Sequence, residues 1–171
     1  MKVLKTAFMI IFIGILIYLI IGLFTPPVTK EVIIELERSS EEIFSILANQ
    51  SNMTKWIPGL TSIKQISGRP NTIGNISEFV FERDGKEIPI LVRINDYKEN
   101  EFINLTLIHD KLISDIQIKI LSQNNGSKLD VAYKIAGNNL LTKTVMPFIK
   151  PLIEKYSNMD LEEIKKLLEK S

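Results

Sequence analysis

Residues 7–24 form an apolar run without a single charge, in which Tyr18 is the only side chain with a polar tip. At about 1.5 Å of rise per residue a helix of this length covers roughly 27 Å, enough to cross a hydrocarbon core. The run ends in Leu23-Phe24-Thr25-Pro26-Pro27. Bulky residues and two prolines make a poor cleavage site, so the pattern predicts an uncleaved signal anchor rather than a cleaved signal peptide. Gly14 and Gly22 share one helical face but are too far apart to form a GxxxG pair.

After the prolines the period changes. Residues 28–37 alternate, with Val32, Ile34 and Leu36 on one side and Glu31, Glu35 and Glu37 on the other, the signature of a half-buried strand. Ser39-Ser40-Glu41-Glu42 then reads as a capping box, with Ser39 at the N-cap and Glu42 at N3. The short amphipathic helix that follows carries Ile43, Phe44 and Leu47, and a second turn carries Met53 and Trp56 before Pro58-Gly59. Alternating runs at 60–67, 74–82, 86–97, 102–109, 112–121 and 128–135 are separated by turn residues such as Asp84-Gly85 and Asn124-Asn125-Gly126, which predicts an antiparallel meander. Residues 139–169 predict a long helix, with Leu141, Val145, Phe148 and Leu152 at spacings of three and four and an irregular first half around Pro147 and Pro151. Every apolar stripe after Pro27 is expected to find its partner inside the domain, leaving the anchor to supply location only.

Composition narrows the chemistry. The 171 residues hold 21 basic and 20 acidic side chains, no cysteine and one histidine. A near-neutral balance offers no field for a polyanion, so a nucleic-acid partner is not expected. Disulfides, thiolate catalysis, Cys-ligated metals and His-rich metal sites are excluded together, and no cofactor or metal is expected. Lys2, Lys5 and the terminal amine outweigh Lys30 and Arg38 around the span. That bias predicts a single-pass cell-membrane protein, cytoplasmic at its N-terminus, with the domain on the periplasmic or outer side of a bacterial cell. The expected division is a tail and anchor over 1–27 and one domain over 28–171.

The order strand, two short helices, six-strand meander and long C-terminal helix resembles the helix-grip fold of the START-like, or SRPBCC, superfamily of polyketide cyclases, lipid-transfer domains and pollen allergens. The stretch from Val32 through Ser39-Ser40-Glu41-Glu42 to Phe44 is similar to that family's first strand and helix. Trp56-Ile57-Pro58-Gly59-Leu60 resembles its entry to the second strand, and Gly74 falls where a glycine opens its third. Ser40 stands where relatives often carry proline, at an N1 position that accepts either. The resemblance implies an α+β domain, a curved antiparallel sheet of about seven strands around the C-terminal helix, with an apolar cavity between the two.

By strand parity that cavity is expected to draw on Trp56, Phe79, Phe81, Leu105, Leu107, His109, Ile116, Ile118, Val131 and Tyr133, faced by Met146 and Ile149 from the helix. Plain core packing is the competing reading for each of them. Histidine is the residue type whose unperturbed side chain suits proton transfer near neutrality, so His109 or Tyr133 could serve as acid or base. Glu78 and Glu82 share a strand face and are expected on the convex side, opposite Phe79 and Phe81. No nucleophile elbow, phosphate-binding glycine loop or nucleotide fingerprint occurs. The leading expectation is a membrane-tethered module that binds a lipid or another hydrophobic small molecule and contacts the bilayer through residues 7–24. The alternatives are a cyclase-, dehydratase- or hydrolase-like enzyme using the same cavity, and an interaction domain with no cavity.

Overall fold

The computed structural model describes residues 2–48, 53–54 and 57–170. Helix α1 (Lys2–Phe24) leads into strand β1 (Val28–Leu36) and helix α2 (Ser40–Ala48). The meander follows as β2 (Leu60–Ser67), β3 (Ile76–Arg83), β4 (Lys86–Lys98), β5 (Phe102–Ile108), β6 (Leu112–Gln123) and β7 (Gly126–Gly137), and helix α3 (Leu140–Lys170) ends the chain. The seven strands form one open antiparallel sheet in the order β1-β7-β6-β5-β4-β3-β2. Together with the long C-terminal helix this is the helix-grip arrangement.

Local chemistry accounts for the element ends. The capping box at α2 closes in both directions. The Glu42 amide donates to Ser39 Oγ at 3.2 Å, and the Ser39 amide donates to Glu42 Oε2 at 3.3 Å. Asn139 and Thr142 form the same reciprocal pair at the start of α3, with the Thr142 amide on Asn139 Oδ1 at 3.0 Å and the Asn139 amide on Thr142 Oγ1 at 3.1 Å. Asp84 and Gly85 both take positive φ, 51° and 70°, as a type I′ turn between β3 and β4 requires. Helical structure continues through Pro147 and Pro151, so the irregular first half expected of α3 does not interrupt it.

The core divides in two. One cluster joins Ile34 and Leu36 of β1, Ile43, Phe44 and Leu47 of α2, Ile120 of β6, Leu129 and Val131 of β7, and Ile164 and Leu168 of α3. The other joins Leu60, Phe79 and Val92 on β2, β3 and β4, with Leu105 and Leu107 of β5 packed against it. Burying a side chain such as Leu168, which is fully buried, contributes at most about 1.5–3 kcal/mol.

Two expectations about the helices require correction. Helix α1, expected to supply location only, packs on the first turns of α3. Gly22 is buried there, and a Cβ on it would overlap Thr144 Oγ1 and come within 2.8 Å of the Leu140 carbonyl. Thr144 Oγ1 donates to the Tyr18 carbonyl at 3.2 Å, and Tyr18 Oη donates to the Leu141 carbonyl at 3.4 Å. Nor does the stripe Leu141, Val145, Phe148 and Leu152 turn into the core, since these side chains are 62%, 40%, 78% and 51% exposed. The periodicity identified a helix face correctly, but it carries no information about which way that face points.

Candidate functional site

Strand register fixes which side chains share the helix-facing side of the sheet. Leu105 stands opposite Ile116, and Ile116 opposite Tyr133. Ile103, Ile118, Val131 and Val32 form the next row, and Leu107 pairs with Val92 and Ser114. Phe79 pairs with Ile63 and Ile90, and Phe81 with Leu60 and Ile88. Side chains directly opposite across a ladder lie on one face, so Phe79, Phe81, Leu105, Leu107, Ile116, Ile118, Val131 and Tyr133 share the side that carries the core. Helix α3 brings Met146, 1% exposed, and the half-buried Ile149. Trp56 lies outside the described residues.

These side chains are not equally packed. Val131 is 2% exposed and Phe79 is buried, each inside one of the two core clusters. Leu105, Leu107, Ile116, Ile118 and Tyr133 are only half-buried on the core-bearing side of β5, β6 and β7. The β5–β6 ladder is the seam where the clusters meet, with Leu105 on one side and Ile116 on the other. Half-buried apolar side chains lying between two closed clusters form a surface on which an apolar ligand can lie.

His109 is placed differently. It follows the end of β5, and its Nδ1 accepts the Lys111 amide at 3.3 Å while Asn138 Nδ2 donates to its carbonyl at 3.2 Å. Those contacts belong to the hairpin connection, not to the middle of the seam. Glu78 and Glu82 fall at register positions opposite in parity to Phe79 and Phe81, on the outward face. Among the described residues, no cluster of His, Cys, Asp or Glu could hold a metal ion.

Sequence reasoning missed Tyr97. A bulge between Ile94 and Asp96 inserts one position into the β4 alternation, so Tyr97 rather than Asp96 pairs with Ile103 on the inner face. Its ring meets Phe44 edge-on, centroids 5.5 Å apart at 63°. Burial, reinforced by the charge of Glu99, raises its phenol pKa above the usual 10.0. A polar group on the outer face was also missed. Asn95 Nδ2 donates to Thr106 Oγ1 at 2.7 Å, and Thr106 Oγ1 donates to Asp115 Oδ1 at 2.7 Å. It borders an open depression of about 580 Å³ shared with Asn104, Gln117 and Lys134. The alternation that points Leu105 and Leu107 inward could have located Asn104 and Thr106 outward. A second open depression, about 570 Å³, lies between Ser40, the β4–β5 hairpin and the end of β6.

A curved antiparallel sheet gripping a C-terminal helix, with an apolar inner face, defines a START/SRPBCC-like fold, and solved structures bear this out. Ara h 8.0201 is 17% identical, with 83% of this chain and 97% of that one aligned at a TM-score of 0.66. A START superfamily protein from Mycobacterium smegmatis is 20% identical over 82% of this chain and 94% of its own, at a TM-score of 0.63. The di-domain ARO/CYC StfQ from the steffimycin biosynthetic pathway is 11% identical over 83% of this chain and 50% of its own, at a TM-score of 0.64. No family model and no curated protein matches the sequence.

Proposed function

We propose that this chain is a membrane-tethered binding module in which residues 28–171 hold a lipid or another hydrophobic small molecule between the sheet and α3. The observation that carries this reading is the half-buried apolar seam of Leu105, Leu107, Ile116, Ile118 and Tyr133, flanked by closed core on both sides. Fold likeness to START-type and ARO/CYC proteins supports it as an analogy of architecture. Tethering is supported by α1, which over Val3–Phe24 is long and apolar enough to cross a bilayer. Lys2 and Lys5 favour a cytoplasmic N-terminus with the domain on the other side.

A photoactivatable fatty-acid analogue tests the reading on the full-length protein in phosphatidylcholine vesicles. After illumination, adducts are expected on the inward positions of β5, β6 and β7. Adducts confined to α1 and to the exposed side of α3, with those inward positions unlabelled, would contradict a ligand between sheet and helix.

A further inference from the structure

We infer that the first half of α3 is a second membrane-contacting element, seated in the surface of the bilayer that α1 crosses. This rests on the proposal above that α1 spans that bilayer. The depth argument comes from packing. Tyr18 and Gly22 lie inside the apolar span Val3–Phe24, and they are held against Leu140, Leu141 and Thr144 by the two hydrogen bonds and the close approach at Gly22. Gly22 is two residues, about 3 Å of helix rise, from the end of the span. The first turns of α3 therefore sit at the level of the last turns of the membrane helix.

At that level α3 has the composition of an interfacial helix. Leu141, Val145, Phe148 and Leu152 recur at intervals of four, three and four residues, forming one exposed apolar face. Lys143, Lys150 and Glu154 lie on the opposite side of the same turns, with Lys150 Nζ 3.8 Å from Glu154 Oε1. Met146 is buried and Ile149 half-buried on the remaining side of these turns. A single exposed leucine needs no explanation, but four large side chains in one stripe, Phe148 at 78% exposure, need an apolar neighbour. The bilayer is the occupant that the contact with α1 already brings there. An apolar face in the acyl boundary with lysines turned to water is the usual seating of such a helix.

The absence of cysteine makes the test direct, because each single-cysteine variant carries one label. Val145→Cys, Phe148→Cys, Lys143→Cys, Lys150→Cys and, on α1, Ile13→Cys are labelled with an environment-sensitive fluorophore. Each full-length variant is reconstituted in phosphatidylcholine–phosphatidylglycerol vesicles, with quenching by doxyl-chain lipids compared with quenching by iodide. The expected result is severalfold stronger lipid-borne quenching at 145 and 148 than at 143 and 150, with 13 also quenched from the lipid. If 13 is quenched from the lipid while 145 and 148 respond to iodide as 143 and 150 do, α3 stands clear of the membrane; the inference fails and the tether survives. Iodide access at 13 would instead remove the spanning reading, and this inference with it. Shielding of 145 and 148 from both quenchers would mean that a protein covers the stripe, which overturns membrane contact.

Discussion

Two large-for-small substitutions on the same sheet face should behave in opposite ways, because one side chain is closed in and the other is not. Val131 is 2% exposed among Ile34, Leu129 and Ile164. Val131→Phe forces a ring into filled space, and overpacking of that kind costs about 1–3 kcal/mol. At roughly 2–4 °C per kcal/mol for a chain of this size, the unfolding midpoint should fall by about 2–12 °C. Leu107 is only half-buried and faces the seam, so Leu107→Trp has room and should cost less than about 1 kcal/mol. The assay is thermal unfolding of both full-length variants in one detergent, paired with the yield of photo-crosslinking to the fatty-acid analogue. Leu107→Trp should keep its midpoint and lose crosslinking, while Val131→Phe should lose its midpoint. Equal destabilisation by both, with Leu107→Trp still labelled as strongly as the parent, would show the seam to be ordinary core and refute the reasoning.

Three further outcomes follow from single contacts. Gly22→Ala places a methyl against Thr144 Oγ1 and the Leu140 carbonyl, so α1 and α3 should separate, read as a longer distance between spin labels at Leu19→Cys and Leu141→Cys than in the same pair with Gly22 retained. Ser39→Ala removes the acceptor of the Glu42 amide and should cost about 1 kcal/mol in chemical denaturation. Tyr97 has a raised pKa, so the folded state holds its proton more tightly than the unfolded chain does; its contribution is intact below about pH 10 and is lost as pH rises through the folded-state value. A stability profile of Tyr97→Phe should therefore lack part of the parent's alkaline decline, and identical declines would remove Tyr97 as the cause.

The fold was legible because most of its signals are local. The capping box, the Asp84-Gly85 turn and the alternation within each strand depend on neighbours in sequence, and each strand and the C-terminal helix appear within two residues of their expected ends, whereas α1 begins at Lys2, five residues before the apolar run. What escaped depends on distant partners. The bulge that turns Tyr97 inward is set by pairing with β5. The stripe from Leu141 to Leu152 has a core helix's periodicity, yet the side chains buried on those turns are Thr144 and Met146, with Ile149 half-buried. Parity alone put Leu105, Leu107, Ile116, Val131 and Tyr133 on one face. It could not tell closed Val131 from half-open Leu107, because Val131 is covered by α2 and α3, which arrive from elsewhere in the chain, whereas Leu107 packs only against the cluster on β2, β3 and β4.

The central claim is that a hydrophobic molecule occupies the space between the sheet and α3, and native mass spectrometry of the full-length protein tests it most directly. After gas-phase removal of detergent, the protein is expected to carry a bound small molecule of defined mass that is absent from Leu107→Trp purified in parallel. Spectra showing only bare polypeptide in the parent, or the same bound mass retained undiminished in Leu107→Trp, would contradict a ligand site at the seam.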